Sequence, residues 1–307
     1  MKVRKLIIIG AGPAGMSAGI YSVRSGLEPL IIESNVPGGQ AALTDFIENY
    51  PAFPDGISGQ ELVKLMEEQC KNLGVEFLNF TQVDLVEKEG KLFRLITNQG
   101  DFLAKAVIVA TGASPAELGI PGEKEFKGRG VSYCATCDGP LFKNKNILIV
   151  GGGDSAIQEA IFLTKFASSM KVVHRRDKLR ARKILQEKVF ANPKIEILWN
   201  SNLTEIEGKD FVERAVILNN RTGEKKKIKI NGIFMYVGLK PNSSFVRNLV
   251  ELDESDFIIT DYKMRTSVPG LLAAGDVRNT PLRQVTTAVS DGAIAAMSLE
   301  EYLEYEI

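Results

Sequence analysis

The chain is poor in the residues that hold metals and disulfide frameworks: among 307 residues it has one histidine and three cysteines. Three cysteines cannot staple a chain of this length, and their scarcity fits a reducing compartment. Net charge is lacking too, since 38 Lys and Arg balance 38 Asp and Glu. No overall field therefore draws the protein to nucleic acid or to an anionic membrane. Long apolar runs are missing as well, and nothing approaches the roughly 20 apolar residues of a membrane span. Behind the basic start Met1-Lys2-Val3-Arg4-Lys5, the run Leu6-Ile7-Ile8-Ile9 stops at Gly10, too short for the core of a secretion signal. What is left is a soluble, cytoplasmic chain, 44% apolar and 25% charged, long enough for two domains.

Glycine, by contrast, is concentrated in two places with one grammar. The first apolar run leads into Gly10-Ala11-Gly12-Pro13-Ala14-Gly15. Such a continuous run predicts a strand buried on both faces. Met16 to Arg24 then predict a helix ending near Gly26, and Pro29 to Ile32 a second strand that closes at Glu33. This is a dinucleotide-binding unit. Gly10 makes the tight turn, Gly12 lets backbone N–H groups approach a pyrophosphate, and Gly15 lets helix and strand pack closely. Glu33 stands where an acid hydrogen-bonds a ribose.

The second copy runs from Asn146-Ile147-Leu148-Ile149-Val150 into Gly151-Gly152-Gly153-Asp154-Ser155-Ala156, with a helix through Leu163 and a strand Met170 to Val173. Its second strand ends differently, in His174-Arg175-Arg176-Asp177-Lys178-Leu179-Arg180. Guanidiniums at that spot suit a ribose 2′-phosphate, which a carboxylate would repel. The pattern favours NADP and leaves NADH use open; the alternative is a solvated basic helix start. Two units imply two dinucleotides, one per domain, and a flavin working between a substrate and a nicotinamide is the common reason for such a pair.

Between these landmarks, Pro37-Gly38-Gly39-Gln40 reads as a loop able to lie against a cofactor, and Glu48-Asn49-Tyr50-Pro51 as a turn. Leu62, Leu65, Met66 and Leu73 recur at helical spacing, with Cys70 among them as an ordinary helix thiol. Strands are expected at 93–97, 106–110, 196–199 and 215–218, and a final helix from about Gln284 to Tyr302. The charged turn Arg221 to Lys227 reads as a solvated hairpin face rather than a nucleic-acid patch. Boundary punctuation falls at Thr111-Gly112-Ala113-Ser114-Pro115 and Val237-Gly238-Leu239-Lys240-Pro241-Asn242. The expected fold is α/β: two Rossmann-like three-layer dinucleotide-binding domains, one inserted into the other. Residues 1–112 and 243–307 form the first and 113–242 the second, and two short crossings are what a hinge looks like.

Two of the three cysteines lie in Cys134-Ala135-Thr136-Cys137-Asp138. A structural zinc site needs four ligands, and beyond the pair only Cys70 and His174 remain, both inside other motifs, so no metal is expected. A buried inert pair stays open on spacing alone. The redox reading asks for two thiols able to close a small ring, and Asp138 would carry the proton that thiol–disulfide exchange must move. Asp138 as a helix cap is compatible with that.

Taken together, GAGPAG, CATCDG, GGGDSA with HRRDKLRA, and GLLAAGDV with RQVTTA resemble the low-molecular-weight, bacterial or archaeal thioredoxin reductases of the flavoprotein disulfide reductase family. The resemblance covers essentially the whole chain. It implies a homodimer with FAD in the outer domain and NADPH in the inserted one. FAD contacts would come from Gly10, Gly12, Pro13, Ala14, Gly15 and Glu33, then from Gly39, Gln40, Asn49, Val83, Thr111 and Gly112. The C-terminal segment would add Gly275, Asp276, Arg283, Gln284 and Val285. NADPH would be held by Gly152, Gly153, Asp154, Ser155, His174, Arg175, Arg176 and Arg180. Electrons are implied to pass from NADPH through FAD to the Cys134–Cys137 disulfide, and on to a disulfide of thioredoxin or a thioredoxin- or glutaredoxin-like protein. In that scheme Cys137 faces the flavin, Cys134 attacks the partner and Asp138 is the general acid/base. Rotation about hinges near Ala113-Ser114 and Asn242-Ser243 would alternate the two contacts. Many relatives carry aromatic residues after the motif where this chain has Pro140-Leu141-Phe142, which leaves partner preference open, a peroxiredoxin-linked carrier included. The rival readings are a ferredoxin–NADP reductase-like flavoenzyme, which lacks the cysteine pair, and a flavin redox sensor without turnover.

Overall fold

The computed structural model describes residues 2–44 and 46–305, the side chains of Thr136, Cys137 and Tyr305 excepted. The chain divides into two compact units, Met1–Ser114 with Lys240–Ile307, and Pro115–Leu239. Each is three layers deep, for a reason written in its first strand.

In the first unit the strand Val3–Ile9 buries both faces. Leu6 and Ile8 pack with Met16 and Ala18 of the helix Pro13–Arg24, Leu62 and Met66 of the helix Gly59–Asn72, and Leu299 of the helix Val285–Tyr305. Ile7 and Ile9 pack on the other side with Phe93, Leu95, Val246 and Ile258. Parallel neighbours run in the order Glu76–Leu78, Pro29–Ile32, Val3–Ile9, Gly100–Val109, Leu271–Ala273. The first half of Gly100–Val109 also pairs antiparallel with Leu92–Thr97, which pairs with Val83–Glu89. A helix layer, a parallel sheet and an antiparallel meander result. Each fully buried Ile or Leu in such a strand contributes about 1.5–3 kcal/mol.

The helix Gly59–Asn72 begins at Ser58, whose Oγ accepts the Glu61 N–H at 3.1 Å, as capping requires. Its inward face differs from the expected stripe. Leu65 and Leu73 are 46% and 39% exposed, and Val63 joins Leu62, Met66 and Cys70 in the core. The i, i+4, i+8 row of 62, 66 and 70 sets the buried side, and Leu65 falls off it.

The second unit repeats the plan. Its parallel sheet runs Ile195–Leu198, Ser169–Val173, Asn146–Val150, Gly232–Met235, Val131–Ser132. Ile147, Ile149 and Val172 face the helix Asp154–Leu163, while Leu148, Val150 and Ile233 face the meander Ser201–Gly208, Val212–Asn219, Lys225–Lys229. The chain crossings, Ala113–Pro115 and Leu239–Pro241, pair with each other. Beside them Asn242 acts as a clasp: Nδ2 donates to the Thr111 carbonyl (2.9 Å), Oδ1 accepts from Ser114 Oγ (2.9 Å), and its N–H donates to the Gly112 carbonyl (3.0 Å). Among the described residues no helix is long and apolar enough to cross a membrane.

Candidate active site and cofactor cradles

Gly10 cannot carry a side chain. At φ 104° an added Cβ would lie 2.5 Å from the Ala110 carbonyl oxygen, and one on Gly15 would lie 1.9 Å from the Gly10 oxygen. Gly12 is different, because its φ is −79° and an added Cβ would meet nothing within 4 Å. Packing inside the chain leaves that position open, at the N-terminus of the helix Pro13–Arg24, where a pyrophosphate would approach. Glu33 fastens the turn: Oε2 accepts the Ala11 N–H (2.8 Å) and Oε1 the Asn35 N–H (2.9 Å). Its remaining lone pairs can serve a ribose hydroxyl. The Gly38 N–H donates to the Ala11 carbonyl at 2.8 Å, which brings the exposed Gly39 and Gln40 alongside. Val83 is buried at the start of its strand, two residues after Thr81, whose N–H donates to the Glu33 carbonyl at 2.9 Å.

The C-terminal segment reaches the same end of the sheet. At Gly275 (φ 76°) an added Cβ would stand 2.9 Å from the Ala14 Cβ, so Gly275-Asp276 seats against the first helix. Burial pushes the Asp276 carboxyl up to about 6, with Arg283 pulling it down and Asp291 adding to the rise. The Arg283 guanidinium lies 4.2 Å from the Phe257 ring centroid, and its buried Nε has no hydrogen-bond partner among the described residues. A buried acid and an orphaned donor beside an open glycine turn fit a polar phosphate-bearing ligand, and the cradle fits FAD. Asn49 Nδ2 donates to Gln284 Oε1 at 2.8 Å, next to Val285 at the start of the last helix. Thr111 is turned to the crossing, its Oγ1 donating to the Asn242 carbonyl at 2.7 Å. Gly112 beside it has φ 65°. Sequence reasoning missed Asp291, which accepts the Gly275 N–H (3.1 Å) and a bidentate pair from Arg278 (2.6 and 3.0 Å). The signal was available: Asp291 is the sole charge between 285 and 299.

In the second unit Gly151 makes the tight turn at φ 149°. Gly153 takes the place of Gly12, with nothing nearer an added Cβ than Arg180 Nη2 at 4.0 Å. The Gly10 N–H donates to Ile32, and that of Gly151 to Val173, so His174 stands where Glu33 stands. Only 4% exposed, His174 presses its ring on Gly152 and donates through Nε2 to the Lys178 carbonyl at 2.9 Å. Burial pushes its pKa down, with Arg180 and Arg176 adding to the fall. The ring is therefore neutral and shapes the turn from behind. Asp154 likewise braces the fold, accepting the Arg182 N–H and pairing with its Nε, both at 2.7 Å. Ser155 is exposed in the helix's first turn, and Arg175, Arg176 and Arg180 are exposed without an ion-pair partner among the described residues.

Cys134 is half-buried and disulfide-bonded. The side chain of Cys137 lies outside the described residues. The Cys134 N–H donates to Ser132 Oγ at 3.1 Å, and its carbonyl accepts the Asp138 N–H at 3.2 Å across the short helix Ala135–Asp138. The Ala135 N–H donates to the phenolic oxygen of Tyr236 at 3.0 Å. On the other side Tyr133 donates to Glu123, a carboxylate only 1% exposed that also accepts the Leu118 and Gly119 N–H groups. Burial pushes both phenols up, Glu123 helping at Tyr133 and Glu159 at Tyr236, so both stay protonated at neutral pH. Asp138 is half-buried. Of Pro140-Leu141-Phe142, the expected partner surface, Phe142 belongs instead to the core: its ring fills the space left by Gly232 and meets Phe234 edge-on at 5.2 Å. Leu141 is 68% exposed. Cys70 is a free buried thiol, pushed up to about 12 by burial. Among the described residues no three His, Cys, Asp or Glu side chains cluster as a metal site.

Two glycine-turn cradles and a disulfide define a nucleotide-dependent disulfide oxidoreductase. The chain belongs to the pyridine nucleotide-disulphide oxidoreductase family, the match covering residues 4–292. It is 46% identical over 305 residues to the thioredoxin reductase of Bacillus subtilis (strain 168), spanning 99% of this chain and 96% of that one. Its fold matches the crystal structure of Lactococcus lactis thioredoxin reductase with a TM-score of 0.94 at 46% identity, covering 98% and 99% of the two chains. The T. acidophilum thioredoxin reductase matches with a TM-score of 0.91 at 37% identity, again over 98% and 99%. The resemblance read from the motifs and the fold class are borne out.

Proposed function

We propose that this chain is an NADPH-dependent thioredoxin-disulfide reductase. The observation that carries the reading is the disulfide-bonded Cys134, whose neighbours Tyr133 and Ala135 are fastened to Glu123 and Tyr236, in a chain that also builds two dinucleotide cradles. When bound, NADPH and FAD supply the two electrons that open the disulfide. In the first cradle Gly12, Glu33, Gly39, Asp276 and Arg283 hold the FAD; in the second Gly153, Ser155, Arg175, Arg176 and Arg180 hold the NADPH.

The Cys134 thiolate attacks one sulfur of the partner's disulfide, forming a mixed disulfide and releasing the partner's other sulfur as thiolate. Cys137 then attacks Cys134, re-forming the Cys134–Cys137 bond and freeing the partner as a dithiol. Asp138 takes the proton from the attacking thiol and gives one to the leaving thiolate. Thioredoxin or a thioredoxin- or glutaredoxin-like protein is the partner, met over Pro140 and Leu141. Rotation about hinges near Ala113-Ser114 and Asn242-Ser243 lets the cysteine pair alternate between flavin and partner. The chain works as a homodimer in the cytoplasm, where the buried free thiol Cys70 and a cycling cysteine pair are at home.

The test is covalent trapping. In Cys137→Ser the second step is blocked, so Cys134 retains its partner as an adduct that a reducing agent releases. Absence of any such adduct, together with no NADPH-dependent reduction of thioredoxin by the wild type, overturns the reading.

A further inference from the structure

The turn Arg221 to Lys227 leans on the loop that carries the arginine pair. Its backbone is fixed, since Asn219 Oδ1 accepts the N–H groups of Arg221 (2.9 Å) and Thr222 (3.0 Å). Asn220 Nδ2 donates to the Arg175 carbonyl at 3.3 Å. The Asn220 N–H donates to the Asn200 carbonyl, and the Asn200 N–H to the Arg176 carbonyl at 3.1 Å. Both arginines are thus tied by their backbones to the hairpin. From that platform Arg221 Nη2 reaches Asp177 Oδ2 at 2.8 Å.

Asp177 is the one acid in the stretch 174–180, and it follows Arg176 directly. Left alone, its carboxylate would repel a 2′-phosphate and could accept a hydrogen bond from an unphosphorylated ribose hydroxyl. We propose that Arg221 is a specificity-determining residue, cancelling the Asp177 charge so that the loop favours a 2′-phosphorylated nucleotide. This rests on the reading of Arg175 and Arg176 as the 2′-phosphate site. It adds a residue more than forty positions downstream that acts through Asp177, and it predicts that the two are coupled.

The experiment is calorimetric titration of the FAD-loaded, full-length protein with 2′,5′-ADP and with 5′-AMP, at low salt because both charges are exposed. Arg221→Ala should weaken 2′,5′-ADP about two- to fivefold, the range of an exposed ion pair, and leave 5′-AMP unchanged or bound more tightly. The double variant Asp177→Asn/Arg221→Ala should recover wild-type affinity for 2′,5′-ADP, because the charge that Arg221 cancels is gone. Equal weakening of both ligands, no weakening, or no recovery overturns the inference. Arg175→Ala/Arg176→Ala is the companion. If that pair discriminates and Arg221 does not, this inference alone fails; if the pair does not discriminate either, the reading beneath it fails too.

Discussion

At the scale of single residues, burial decides which acids and thiols are reactive and which are inert. Cys70 and Cys134 share a chemistry, but Cys70 is fully buried in a helix layer with Sγ donating to the Met16 carbonyl, and its raised pKa removes it from exchange. Asp276 makes the opposite use of burial. Its carboxyl is lifted from 3.8 to about 6, so between those values the folded protein holds the proton more tightly than the unfolded chain. Its stabilising contribution is full below the unfolded value and is lost as pH rises through about 6. At pH 7.5 the ionised group costs the flavin-free fold about 3 kcal/mol. Asp276→Asn should therefore be the more stable flavin-free protein at pH 7.5 in urea unfolding, and the advantage should vanish near pH 4. A difference of the same size at both pH values would trace the effect to something other than ionisation. The same substitution should weaken flavin retention, which places Asp276 among residues kept for function at a cost in stability.

Among the secondary-structure elements, the two glycine turns separate the demands of folding from those of binding. Gly15 is required by the chain itself, because an added Cβ would overlap the Gly10 oxygen at 1.9 Å. Gly12 is not, since its backbone is in a common region and its surroundings are open. Gly15→Ala should cost the flavin-free fold several kcal/mol, on the order of 3 or more, whereas Gly12→Ala should leave its unfolding midpoint within about 0.5 kcal/mol of wild type. Gly12→Ala should nonetheless lose flavin on gel filtration, read from the absorbance ratio at the flavin band. A Gly12→Ala protein that keeps its flavin would show that the open space is not the cofactor's. These turns were legible in the sequence because their grammar is local, with strand, glycines, helix and second strand following within a few dozen residues. The long-range contacts that support the turns and the cysteine segment were not. Tyr236 meets Ala135 across 101 positions, and Asp291 meets Gly275 across 16. The Tyr236 pairing leaves no mark in periodicity or spacing, and Asp291 shows only as a lone charge in an apolar stretch, with no sign of its partner. His174 stands among the NADPH contacts that the resemblance implies, and nothing in the sequence signals that the sheet turns its ring inward onto Gly152. Phe142 looked like surface because it follows Pro140 and Leu141, yet the missing side chain of Gly232 draws it into the core.

For the whole molecule, the remaining question is what covers the apolar surface of the first unit. Tyr21 from the first helix, Tyr262, and Ile294 and Met297 from the last helix line one groove of about 570 Å³. They are 41%, 81%, 37% and 48% exposed, respectively. Apolar side chains gathered in this way, with Lys263 and Glu301 also lining the groove, mark an interface more often than a bare exterior. The helix Val285–Tyr305 supplies Ile294 and Met297 to this groove and Leu299 to the core. The homodimer proposed for this chain is expected to close over it. Light scattering should give twice the mass of one chain for the wild type, and one chain's mass for Ile294→Glu/Met297→Glu, since each subunit would then bury carboxylates without partners. Circular dichroism matching the wild type would show that the loss is of association and not of folding. A double variant that keeps the dimer mass would move the interface elsewhere, and a monomeric wild type would remove the dimer itself.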